Sequence, residues 1–61
     1  MKYILLATCG LCLELSRQQA KRAFEFGLDK YGYDQLETDC GIVYRFYDVD
    51  RWLYDIKLLK D

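Results

Sequence analysis

The sequence predicts one α+β domain spanning residues 1–61, of β-α-β-β order, with an antiparallel sheet and one helix packed across one face. Three observations carry this. Residues 2–8 form a short apolar run without punctuation, and Ser16 opens an amphipathic stretch with clear helix-start signals. Residues 42–59 hold two β-branched and aromatic segments around an acidic turn. Sixty-one residues suffice for one domain, and a chain of that length hides only about 60% of the surface its unfolded form exposes.

The first element, residues 2–8, reads as a central strand covered on both faces, because it is apolar at consecutive rather than alternate positions. Gly10 suits a bulge or turn, after which residues 11–15 can continue in extended form. Ser16 is then a good N-cap. Gln19 lies three residues on, where a capping box needs it, and Leu15 can staple against Ala20. Ala20, Ala23, Phe24, Gly27, Leu28 and Tyr31 fall on one helical stripe. Gly27 costs about 1 kcal/mol relative to Ala in a helix interior, so close packing on a sheet is its expected reason. Lys30 suits the last turn, and Gly32 reads as the left-handed residue that follows a helix end. Residues 33–37 read as a short strand or a loop, and residues 38–41 as a turn.

Residues 42–47 read as a strand. Residues 52–59 fit either a strand or a helix, and cross-strand register favours the strand. With residues 49–51 as a three-residue loop, Asp48 faces Trp52, Phe46 faces Tyr54, Tyr44 faces Ile56 and Ile42 faces Leu58. Arg45 then lies opposite Asp55 as an opposite-charge pair on the other side. The inner face would carry Ile42, Tyr44, Phe46, Trp52, Tyr54, Ile56 and Leu58 against Ala20, Phe24, Gly27 and Tyr31.

Composition narrows the function. The chain is 52% hydrophobic, with six Tyr, three Phe and one Trp. That is more aromatic surface than a few elements readily hide, so part of it is expected to meet a partner or a second copy. Nine Lys and Arg stand against ten Asp and Glu, a net charge of −1. Duplex DNA usually requires a basic footprint, so a nucleic-acid partner is not expected. The basic cluster Arg17, Lys21 and Arg22 reads as the solvated side of the helix. The N-terminal apolar run is far short of the ~20 residues of a spanning helix and lacks a clean cleavage site. It is taken as a strand, with no membrane association.

Catalysis is not expected. There is no His, the length leaves little room for a concave pocket of a few hundred Å³, and the acid pairs Asp48/Asp50 and Glu37/Asp39 flank turns. Cys9-Gly10-Leu11-Cys12 is a C-x-x-C and permits a dithiol redox or metal-binding module. Against it, the helix cap falls at Ser16, the chain has no Pro, and Cys40 leaves zinc one ligand short. The three cysteines therefore read as small buried hydrophobes, with no cofactor and no metal.

The opening Met1-Lys2-Tyr3-Ile4 strand, the helix begun by Leu15-Ser16-Arg17-Gln18-Gln19-Ala20-Lys21 and the closing aromatic hairpin resemble small phage-encoded anti-defence proteins of the anti-CRISPR type. The resemblance spans the chain but rests on length and element order, so no family residues carry over. It implies a cytoplasmic inhibitor that blocks a host protein complex stoichiometrically. The residues themselves supply a candidate surface. With the inner face assigned, the outer face carries Val43, Arg45, Tyr47, Leu53, Asp55, Lys57 and Leu59, a mix of aromatic, aliphatic and Arg that suits a protein interface. A host protein or a symmetric homodimer would both fit that face.

Overall fold

The computed structural model describes residues 1–60. Five strands and one helix follow in the order β1 (Lys2–Ala7), β2 (Cys12–Leu15), α1 (Arg17–Lys30), β3 (Gly32–Thr38), β4 (Gly41–Asp48) and β5 (Arg51–Leu59). They build one antiparallel sheet ordered β2-β1-β5-β4-β3. The α+β class and the single helix are as expected, but the order is β-β-α-β-β-β. Residues 11–15 do not prolong the first strand. The chain turns back at Thr8–Gly10, with Gly10 at φ 89°, and β2 pairs with β1. Residues 33–37 lie within an edge strand rather than a loop.

The helix joins one edge of the sheet to the other, which fixes its length. Four inter-strand gaps of about 4.8 Å separate β2 from β3, roughly 19 Å in all. Fourteen helical residues at about 1.5 Å each span roughly 21 Å. Its start is the predicted capping box. The Ser16 side chain accepts from the Gln19 backbone N–H at 3.1 Å, and the Ser16 backbone N–H donates to Gln19 Oε1 at 2.9 Å. Its end differs from expectation. Tyr31 leaves the helix in extended conformation (φ −132°) and the chain enters β3 directly. Gly32 is therefore the first residue of a strand, not a left-handed cap.

The sheet face under the helix holds an aromatic cluster. Phe24 meets Tyr44 edge-on at 4.6 Å between ring centroids and Phe46 at 6.0 Å, while Phe46 stacks on Tyr54 at 5.0 Å. Ala20, Phe46 and Ile56 are buried there. Gly27 lets the helix approach: a β-carbon at that position would stand 2.5 Å from Phe46 Cε1 and 2.7 Å from the Tyr54 hydroxyl. Leu28, placed on the stripe by spacing, is exposed instead, as is Phe26.

The β4–β5 hairpin keeps the predicted register through its body: Ile42↔Leu58, Tyr44↔Ile56, Arg45↔Asp55 and Phe46↔Tyr54. Nearer the turn it departs. The loop has two residues, Val49 and Asp50, so Asp48 faces Arg51 and Tyr47 faces Trp52. A β-bulge absorbs the odd residue, leaving Leu53 unpaired against β4. The correction matters for function. Trp52 stands beside Tyr47 on the face away from the helix, not on the inner face.

Candidate interaction face

Strand pairing aligns residues in rows across the face that the helix leaves uncovered. One row runs Glu14, Ile4, Lys57, Val43 and Leu36; the next runs Cys12, Leu6, Asp55, Arg45 and Asp34. Lys2 and Leu59 form part of a third row, and Tyr47, Trp52 and Leu53 close the turn end. All seven residues assigned to the outer face by register, namely Val43, Arg45, Tyr47, Leu53, Asp55, Lys57 and Leu59, lie here. They do not simply face water, however. Val43 and Asp55 are buried and the other five are half-buried, because neighbouring side chains on the same face lean over one another.

Asp55 lies at the centre of this packing. Its side chain is only 3% exposed, yet no element covers the face. Three donors account for the burial. Arg45 Nε donates to Oδ1 at 3.0 Å and Nη2 to Oδ2 at 3.3 Å, a two-pronged grip that suits the guanidinium plane. Trp52 Nε1 donates to the same Oδ1 at 2.8 Å. The guanidinium also stands 5.7 Å from the Trp52 ring centroid, within cation–π range. Hydrogen bonding and the charge of Asp55 raise the Arg45 pKa further above its already high value, so this cation is permanent. The cluster fixes a flat indole and a charged fork at the surface in one geometry, and it performs no evident proton chemistry.

Sequence reasoning missed Ile4, Leu6 and Trp52 as members of this face. The signal for the first two is present: β1 is apolar at consecutive positions, a pattern that burial on both sides shares with an apolar open face. The helix covers only the Tyr3, Leu5 and Ala7 side, so Ile4 and Leu6 become surface. Trp52 was hidden by the bulge, which period-two alternation cannot anticipate.

The cysteines correct another expectation. Cys9, Cys12 and Cys40 are all exposed, not core residues. Cys9 lies in the β1–β2 turn, Cys12 begins the edge strand β2, and Cys40 lies in the β3–β4 turn. Among the described residues no three His, Cys, Asp or Glu side chains gather to hold a metal ion. No helix of the described residues is long and apolar enough to cross a membrane.

The structure also divides the basic cluster. Arg17 and Lys21 border a groove of about 240 Å³ between the first half of α1 and the sheet, whereas Arg22 does not line it. The groove lies on the opposite side of the sheet from the rows above. No family model, curated protein or solved structure matches the chain.

Proposed function

We propose that this chain is a non-catalytic protein-binding domain that lays its helix-free sheet face over a surface of a second protein and blocks it one to one. The supporting observation is architectural. Five strands with one helix leave a whole sheet face without a covering element, and apolar side chains from four strands line up on it. Five strands at about 4.8 Å and about seven residues at about 3.3 Å make a face of roughly 500 Å². Matched by an equal area on a partner, it would bury about 1,000 Å² in all, the small end of protein interfaces. Tyr47, Trp52 and Arg45 are the residue types that dominate such contacts, and the Asp55 grip holds two of them ready, which lowers the ordering cost of binding. A stoichiometric inhibitor of a host defence complex, as the resemblance to small anti-defence proteins implies, would work in this way.

Replacing Tyr47 and Leu53 together by Asp tests the reading. Both are half-buried at the turn end of the face, away from the helix side. The wild-type chain should retain a partner from a lysate of its source cells at one-to-one stoichiometry, or else self-associate in sedimentation. The double variant should lose that association by at least tenfold while keeping its circular dichroism spectrum. Undiminished association by a folded double variant would rule this face out.

A further inference from the structure

On the other side of the sheet, the groove beside α1 combines three features. Its floor is apolar, made by Ala20 and Phe24 of the helix and by Ile56 and Leu58 of β5. Tyr3 and Tyr44 bring phenol groups to its walls. At its border stand Arg17 and Lys21, four residues apart on the helix, both exposed. No acid lines the groove, and α1 carries no acid in its first turn. Neither cation makes an ion pair or a side-chain hydrogen bond among the described residues. The chain as a whole is slightly acidic, so this local excess of positive charge over an apolar floor is not a general surface property.

We propose that the groove binds an amphipathic carboxylate: a small organic acid with one unbranched apolar tail. The tail lies along Phe24 and Leu58, which keep exposed surface, above the buried Ala20 and Ile56, and the carboxylate meets Arg17 and Lys21. A planar guanidinium fork matches a carboxylate, and an ammonium beside it adds a second charge-assisted bond. Size sets the tail. At about 30 Å³ for each water-sized group, 240 Å³ holds about eight such groups, which suits a single chain of about eight carbons. This inference does not rest on the protein-binding face, and either can fail alone.

The experiment titrates the isotope-labelled chain with sodium butanoate, hexanoate, octanoate and dodecanoate, with octylammonium and octan-1-ol as controls, following backbone amide shifts. Octanoate should saturate one site, moving the amides of Ala20, Lys21, Phe24 and Ile56. Affinity should rise roughly fourfold per added methylene up to about eight carbons and then level off. Octylammonium should bind at least tenfold more weakly. Lys21→Glu combined with Arg17→Glu should reduce octanoate affinity at least tenfold with the fold unchanged, since both side chains are exposed. The proposal falls if octanoate and octylammonium bind alike, if the charge-reversed chain keeps its affinity, or if no saturation occurs by 10 mM. It falls equally if the same amides shift with protein concentration alone, which would make a second copy the occupant.

Discussion

Gly27 shows how the sign of a substitution depends on what the side chain meets. In an isolated helix, Gly→Ala gains about 1 kcal/mol. Here the added methyl would stand 2.5 Å from Phe46, a ring with no exposed surface, and 2.7 Å from the Tyr54 hydroxyl. Phe46 is fully buried and packed between Phe24 and Tyr54, so it can give way only by displacing them. Overpacking of this kind costs typically 1–3 kcal/mol. Gly27→Ala should therefore destabilise by about 1 kcal/mol net, seen as a lower midpoint in urea with little change in slope. A stabilised variant would mean that the helix stands further from the sheet than Gly27 implies.

At the scale of elements, legibility follows the source of each element's stability. The helix start could be read because Ser16 and Gln19 satisfy backbone groups locally, within four residues. The body of the β4–β5 hairpin could be read because each pairing, Arg45 with Asp55 above all, is a side-chain match that only one register satisfies. The edge strands β2 and β3 could not. Every residue of β3 is exposed and Tyr33, Asp34, Gln35, Leu36 and Glu37 show no apolar alternation, so backbone pairing to β4, helped by the Tyr33 ring beside Phe24, Tyr44 and Phe46, makes them a strand. The candidate face was legible in the same measure: the seven residues placed by register share one side of the sheet, whereas register alone does not reach the neighbours supplied by β1 and by the bulge. The turn explains why. Val49 lies at φ 61° and is 94% exposed, a conformation that two-residue hairpin loops favour but β-branched residues resist. Such a residue argues against the tight loop that forms, and the bulge at Leu53 reconciles that loop with the register beyond it. Val49→Gly should relieve left-handed strain of about 1–2 kcal/mol, partly offset by the freedom Gly gains in the unfolded chain. The net should be a melting point higher by a few degrees, and a fall would show that the turn is not strained.

For the molecule as a whole, stability rests on few groups. Apart from Ala20, Val43, Phe46 and Ile56, no apolar side chain is fully buried among the described residues, so the half-buried aromatic layer between helix and sheet carries much of the fold. That layer has a pH limit. Burial raises the Tyr54 pKa above the ordinary tyrosine value near 10, and the neighbouring Tyr31 adds to the rise. Its hydroxyl donates to the Ala23 carbonyl at 3.4 Å, a bond that a phenolate could not donate. The sign follows from linkage. Below pH 10 Tyr54 is neutral in both folded and unfolded chains and does not affect the balance. Above pH 10 the unfolded chain releases its proton first, so stability falls until the folded pKa is passed. Unfolding in urea measured between pH 8 and 11.5 should show a flat region followed by a decline beginning near pH 10. Tyr54→Phe should start from slightly lower stability, having lost a long hydrogen bond, and should decline less steeply. Equal slopes for the two chains would move the alkaline limit from this residue to the remaining tyrosines, and would mean that the Tyr54 hydroxyl is hydrated in the folded protein.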